Sequence, residues 1–371
     1  MEYRNLINHY KKIKIILLVF LVIILILIAL GFYTIRGSPK VTVDYLTEYN
    51  KLSRPVNYDP NQNAQKLYDE AVNTFFKMPL ALAKIPTQSI EWPADLNEAE
   101  QRLLQNWLIA NKDSIQKFKE ASKKPFYWIE SRACNNDLRS IQIFELYGYG
   151  LGELYDAILW DAKVNALNGK YSDFCEDLLM NYRASFQKCD TPRFVIVFRD
   201  SLQNLQRTTR TTLLILKKVN IPESILDSFQ KDLENLLNTP KLCPSITVDR
   251  LFPYDMLQRT YSYNADGTGR LSWEGIKDFS RYCSSANISG WEIIKFWLVG
   301  LTQKEMKDRI DSYYQQMESA FPINPWQLHQ TKPNFFENQL YPLNFENLYL
   351  LAYGVTYRND YYDYYDTQSR L

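Results

Sequence analysis

A chain of 371 residues with 43 basic and 42 acidic side chains carries a formal net charge of +1, so it has no cationic surplus with which to bind nucleic acid electrostatically. Hydrophobic residues make up 46% and charged residues 23%, ordinary values for a chain able to build one large core or two smaller ones. There are two histidines, His9 and His329, so a Ser-His-Asp triad or a two-His zinc site beyond the N-terminal flank would rest on His329 alone.

In chain order the first feature is Ile15 to Tyr33, nineteen residues without a charge. At about 1.5 Å per residue such a helix reaches roughly 29 Å, close to the ~30 Å hydrocarbon thickness of a bilayer, and it reads as a transmembrane anchor over about 15–35. Arg4, Lys11, Lys12 and Lys14 precede it, whereas only Arg36 and Lys40 follow before Asp44 and Glu48. That asymmetry keeps the 1–14 flank cytoplasmic and puts the bulk of the chain on the periplasmic or extracytoplasmic side. A cleaved signal peptide is the rival reading, with Ala29-Leu30-Gly31 as its small-x-small site. The run is too long for that, and Phe32-Tyr33 continue it. No Cys follows at a small-residue site, so a lipoprotein is not indicated.

Beyond the anchor the apolar spacing is helical. Val43 to Ser53 is a short helix stopped by Pro55. Asp59-Pro60 opens the next, with Ala64, Leu67, Tyr68, Ala71, Val72, Phe75 and Phe76 on one stripe up to Pro79. Leu80 to Pro93 reads as irregular. Asn97 caps a helix burying Leu103, Leu104, Trp107 and Leu108, which continues or restarts through Ile115, Phe118 and Ala121. The strongest periodic segment is Leu138 to Leu167, followed by Gly169 where a left-handed cap suits a residue without Cβ. Ser172 starts a partner helix through Phe174, Leu178, Tyr182 and Phe186, and the three-residue link makes the two antiparallel neighbours. Thr191-Pro192 opens a third long helix to about Val219, and Pro222 to Leu237 makes a fourth.

Shorter helices follow around Val248 to Tyr261 and Trp291 to Leu301. Thr302-Gln303-Lys304-Glu305 is a capping box for a helix to about Phe321, and a last helix starts near Asn344. No run of alternating β-branched residues suggests a sheet. The expected fold is all-α: the anchor, then a multi-helix antiparallel bundle or irregular α-solenoid. Its long helices occupy 36–242 and a second helical region 243–371, which finishes at Leu371 without a stop signal and reads as truncated.

The sharpest local motif is Ser262 to Leu271. In an EF-hand-type loop with Gly267 at the sixth position, Asn264 is third and Asp266 fifth. Ser262 then stands where Asp is expected, Trp273 occupies the twelfth position, and Glu274 comes one residue late. A polar Asp-Gly turn is the plainer reading. Calcium, the one cofactor this pattern admits, would use Asn264, Asp266 and Glu274 as metal ligands. GxGxxG and GxxxxGK[ST] are both absent, and no catalytic residue or organic cofactor site stands out. Cysteines fall at 134, 175, 189, 243 and 283 with no C-x-x-C spacing. Cys175 and Cys189 lie on one expected helix, some 20 Å apart, too far to pair with each other.

The 27 tyrosines and 8 tryptophans mostly follow helical spacing and read as core. A glycoside-processing cleft would add a pair of carboxylates to such aromatics, and no pair stands out. Tyr361, Tyr362, Tyr364 and Tyr365, interleaved with Asp360, Asp363 and Asp366, read as a packed terminal helix or a protein-contact face. Asn287-Ile288-Ser289 matches a glycosylation acceptor.

Leu167-Asn168-Gly169-Lys170-Tyr171 is similar to the G-x-Y turn of tetratricopeptide repeats, but Phe174 replaces a small residue and no 34-residue period recurs. At whole-chain level the order of features resembles a family of single-span-anchored helical proteins of planctomycete-type bacteria that carries no assigned activity. Tyr58-Asp59-Pro60 with Asn63-Ala64, Trp92-Pro93-Ala94, the Gly169–Tyr171 turn, and Gln258-Arg259-Thr260-Tyr261 leading to Asp266-Gly267 and Gly269-Arg270-Leu271 carry that resemblance. It implies a C-terminal continuation and no functional residue.

The expected function is a membrane-tethered extracytoplasmic protein acting through a protein partner or as an envelope scaffold, with no catalysis indicated. The alternatives are a carboxylate-dependent enzyme on envelope glycans and a calcium-stabilised binding domain.

Overall fold

The computed structural model describes residues 13–26, 29, 38–83, 92–131, 151–190, 195–237, 246–272 and 301–320. Their regular structure is all-helical, with twelve helices, two 3-10 turns and isolated β-bridges in place of any strand among the described residues.

Residues 13–26 form α1. Its large apolar side chains, from Ile13 to Ile26, are 38–67% exposed on every face of the helix. No helix among the described residues is long and apolar enough to cross a membrane. The expected span over 15–35 is therefore not supported by the described residues, over which α1 reaches about 21 Å. Residues 27–28 and 30–37 lie outside the described residues.

The chain divides into two compact units, and among the described residues it passes from one to the other at Tyr45, at Pro253 and at Ala320. The larger unit runs from Tyr45 to Phe252. It contains α2 (Tyr45–Ser53), a 3-10 turn at Pro60–Gln62, α3 (Gln65–Asn73), α4 (Leu80–Ala83), a second 3-10 turn at Pro93–Asp95, α5 (Glu98–Ala110) and α6 (Lys112–Ser122). The long helices follow as α7 (Leu151–Leu167), α8 (Tyr171–Asp190), α9 (Val195–Lys218) and α10 (Glu223–Leu237), and α11 (Ile246–Thr260) begins here.

α8 is the centre of this unit, packed against α7, α9, α10 and α6. Leu159, Ala162 and Ala166 of α7, Phe174, Leu178 and Phe186 of α8, Leu202, Leu205 and Ile215 of α9, and Phe229 of α10 form one buried cluster. Each fully buried Leu, Ile or Phe contributes about 1.5–3 kcal/mol over its exposed state. The α7–α8 reversal is the expected one: Gly169 has φ +74, Lys170 N donates to Asn165 O and Gly169 N to Ala166 O. That pair of bonds is a Schellman motif, which satisfies two carbonyls that the end of α7 would leave unpaired.

Carboxamide side chains stitch the non-helical segments to the helices. Asn50 Nδ2 donates to Ser131 O at 2.7 Å and its Oδ1 accepts from Ser131 N at 2.8 Å. Asn63 treats Trp128 the same way, at 2.7 and 3.0 Å. Asn111 does so with Phe76, at 3.0 and 2.8 Å. In each case a primary amide stands in for a strand neighbour, offering one donor and one acceptor to a peptide that no helix serves. Gln187 of α8 accepts from Tyr68 Oη at 2.6 Å and donates to the carbonyls of Ala121, Ser122 and Lys124, closing the C-terminus of α6.

These clamps explain where helix ends depart from the periodicity. The stripe through Phe75 and Phe76 predicts a helix to Pro79, but Asn111 holds both backbone groups of Phe76 and α3 ends at Asn73. Asp59-Pro60 opens a separate 3-10 turn, with Asp59 Oδ1 accepting from Asn61 N. Leu80–Ala83 is a short helix inside the stretch expected to be irregular. Asn97 and Glu100 form a complete capping box, and the α5–α6 pattern restarts at Asn111 rather than continuing.

The smaller unit gathers Met1–Asp44 with Pro253–Ser319. It holds the end of α11, the turn 262–270 and α12 (Gln303–Ala320). Met256, Leu257, Tyr261, Leu271, Met306, Ile310 and Tyr314 are its buried apolar side chains among the described residues. The segment after α1 is clamped here by a further carboxamide. Gln258 Oε1 accepts from Thr42 N and Val43 N, and its Nε2 donates to Val43 O at 2.8 Å. Val43 therefore stays outside α2, which was expected to include it. The capping box at Thr302 forms as expected: Thr302 N donates to Glu305 Oε2 at 2.7 Å and Glu305 N donates to Thr302 Oγ1 at 3.3 Å.

Candidate functional site

The turn 262–270 is held at its base by an antiparallel bridge between Tyr261 and Leu271. Ser262 N donates to Arg270 O at 2.8 Å and Ser272 N to Thr260 O at 2.9 Å. Gly269 is required by close approach, since a Cβ there would stand 1.8 Å from Ser262 O. Gly267 is required by conformation, with φ +76, and its N–H donates to Asn264 O.

Within this frame Asp266 and Asn264 both serve Thr268. Asp266 Oδ1 accepts from Thr268 N at 3.0 Å and from Thr268 Oγ1 at 2.7 Å, and Asn264 Nδ2 donates to Thr268 Oγ1 at 3.1 Å. Those two bonds from Thr268 hold the Asp266 carboxyl below its ordinary range. The structure thus brings two of the three sequence-predicted ligands together, around a threonine hydroxyl. Glu274 lies outside the described residues. Among the described residues no group of three or more His, Cys, Asp or Glu side chains could hold a metal ion.

The start of α12 is closed as well. Gln303 N donates to Gly269 O at 2.7 Å, Lys304 N to Gly267 O at 3.0 Å and Met306 N to Thr302 O at 3.0 Å. With Glu305 N on Thr302 Oγ1, the first four N–H groups all have partners, so this helix end presents no vacant donors to an anion.

A second site, missed in the sequence, lies in the α7–α8 hairpin. Asp161 and Asp177 stand eight residues on either side of Gly169, and Asn165 and Asp173 four on either side. In an antiparallel hairpin such mirror positions share a face. Asn165 Nδ2 donates to Asp177 Oδ2 at 2.9 Å. Asp177 is 7% exposed. Burial, and then the Asp161 carboxylate, push its pKa up to about 8, against the Asn165 bond and the Lys119 charge. Burial also raises Asp161, opposed by Lys170. Near neutral pH this pair therefore holds a proton. The mirror spacing about Gly169 is the signal that would have found it.

Around the same helix, Glu176 Oε1 meets Lys123 at 3.2 Å, Arg183 at 3.3 Å and Lys119 at 3.9 Å. The half-exposed pairs of this network contribute little each, and its role is to fix α6 on α8. Cys175 and Cys189 are both buried on α8, one toward each end. His9, His329, Cys134, Cys243, Cys283, the Asn287 acceptor and the tyrosine-rich end lie outside the described residues.

The known proteins add no precedent to this geometry: no family model, no curated protein and no solved structure matches the chain.

Proposed function

We propose that the chain is a membrane-tethered, extracytoplasmic helical protein that works by protein–protein contact, as a scaffold or envelope component. The observation that supports it is α1, whose apolar side chains face outward all round the helix. A helix packed on one protein partner needs a single apolar stripe, whereas one apolar on every face needs an environment that surrounds it. The Lys and Arg excess before the run orients it, N-terminus inside. Protease added to intact spheroplasts is expected to digest the bulk of the chain, and carbonate is expected to leave the remainder in the membrane. A protected bulk or release by carbonate overturns the proposal. Affinity capture from solubilised membranes tests the binding role, and return of nothing above background counts against it.

A carboxylate-dependent enzyme acting on envelope glycans is the second reading, and the coupled Asp161 and Asp177 favour it. Against it, an acid that is 7% exposed offers little to a sugar ring. Release of soluble fragments from isolated envelope glycan by the parent chain, lost in Asp177→Asn, would support it; no release by the parent ends it.

A further inference from the structure

We infer that the edge of the smaller unit formed by Lys40 and Tyr263 rests on the phospholipid headgroups of the membrane that α1 enters, an inference that rests on the membrane reading above.

Tyr263 N donates to Ser38 O at 3.2 Å, so the turn is hydrogen-bonded directly to the segment that follows the apolar run. Ser38 comes five residues after Tyr33, where that run ends. At no more than about 3.6 Å per residue, the chain between them extends at most about 18 Å by any path. A headgroup layer is itself about 5–8 Å deep, so the turn is confined to the neighbourhood of the bilayer surface.

The tether has no slack beyond Ser38. Gln258, only 5% exposed, grips Val43 through both its N–H and its C=O and also takes Thr42 N. Its Nε2 donates in addition to Asp255 Oδ1 at 2.9 Å, which fixes the amide's orientation. Residues 38–43 therefore belong to the folded unit rather than to a linker, and the distance from the run to the turn is set by the few residues before Ser38.

Lys40 Nζ lies 5.0 Å above the Tyr263 ring centroid, and Tyr263 is 41% exposed. An exposed tyrosine alone needs no explanation. A tyrosine paired with a lysine, at the end of a short tether from an apolar helix, is an amphipathic ring and a cation placed at headgroup depth, where both residue types are favoured. Charge leans the same way: Lys40, Arg270 and Lys304 stand on or beside the turn against Asp266 and Glu305, whose carboxylate accepts from Thr302 N and Oγ1.

The test uses the full chain in nanodiscs of phosphatidylethanolamine and phosphatidylglycerol doped with a headgroup-linked diazirine lipid, with adducts mapped by mass spectrometry. Adducts are expected in 38–44 and 261–272 as well as at the ends of the apolar run. The double variant Lys40→Ala/Tyr263→Ala is expected to lower the turn adducts about fivefold or more, leaving those at the run unchanged, and Tyr263→Trp to retain them, since Trp shares the interfacial preference. Both side chains are exposed, so an unaltered circular dichroism spectrum accompanies these changes. Adducts confined to the run, or turn adducts undiminished in the double variant, overturn the headgroup contact while the anchor stands. Absence of adducts at the run together with carbonate release overturns the anchor itself.

Discussion

The α7–α8 hairpin and the 262–270 turn are both reversals built on a glycine with positive φ, +74 at Gly169 and +76 at Gly267, yet they treat their acids in opposite ways. In the hairpin, backbone bonds close the reversal at Gly169, and Asp177, eight residues further on, is carried by the helix into the α7–α8 interface, where it accepts from Asn165. Burial raises its pKa. In the turn the acid is the closing element: Asp266 stays in water and bonds Thr268, which lowers its pKa. The same side chain is a cost to the core in one place and a brace in the other, and what decides is whether the backbone has already completed its own reversal.

The largest break in that symmetry is pH. The Asp177 pKa is raised from 3.8 to about 8 in the folded chain, so the native state holds a proton that the unfolded state releases between those values. Stability is therefore greatest below about pH 4 for this group and falls as pH rises toward 8, by on the order of a few kcal/mol. Urea unfolding of the full chain in detergent at pH 5 and pH 8 measures the difference. Asp177→Asn keeps a carboxamide that can still accept from Asn165 and is expected to flatten the dependence and to be the more stable chain at pH 8. An equal slope in parent and variant refutes the assignment.

The glycines give the next two effects. Gly269→Ala places a Cβ 1.8 Å from Ser262 O, which cannot be met without opening the Ser262–Arg270 pairing and the Gln303–Gly269 bond, a loss of about 2–4 kcal/mol. Gly169→Ala meets nothing within 4 Å and carries only the left-handed backbone penalty, about 1 kcal/mol. Unfolding midpoints of the two variants under one buffer give the ranking, and a hairpin variant that loses more than the turn variant would mean that conformation, rather than close approach, limits these reversals.

The helices were legible because their cores follow the 3.6-residue period, and the Gly169 cap, the Asn97 box and the Thr302 box are local signals read within a few positions. The clamps were not legible. Asn111 meets Phe76 across 35 residues, Asn63 meets Trp128 across 65, Asn50 meets Ser131 across 81 and Gln258 meets Val43 across 215. Nothing local distinguishes such an amide from one on a solvated helix face, so the apolar stripe through Phe76 and the helical reading of Val43 ran past points where a distant side chain takes the backbone's bonds. The acid pair was hidden differently. Asp161 and Asp177 look like surface carboxylates until the hairpin is folded about Gly169, and only then does the mirror spacing bring them together. At the turn, Asn264 and Asp266 were singled out from their spacing, while the residue that organises them, Thr268, was not, because a hydroxyl between two polar groups has no spacing rule of its own.

The smallest expected effect separates a brace from an ion site. Asp266 is fully exposed, and its lowered pKa means that its contribution is present above the ordinary carboxylate range and fades as pH falls through the lowered value. Asp266→Ala removes one acceptor from Thr268, whose neighbours Asn264 and water remain, so a small drop in the melting midpoint at pH 7 and none at low pH is the expected result. An ion at this turn would have to compete with Thr268 for Asp266 Oδ1, which already accepts two hydrogen bonds. Calcium is accordingly expected to leave the midpoints of parent and variant alike unmoved. A calcium-dependent rise in the parent that disappears in Asp266→Ala, with matching heat in calorimetric titration, would mean that the carboxylate releases Thr268 to coordinate a cation, and the turn would then belong with the ion-binding loops it partly resembles in sequence.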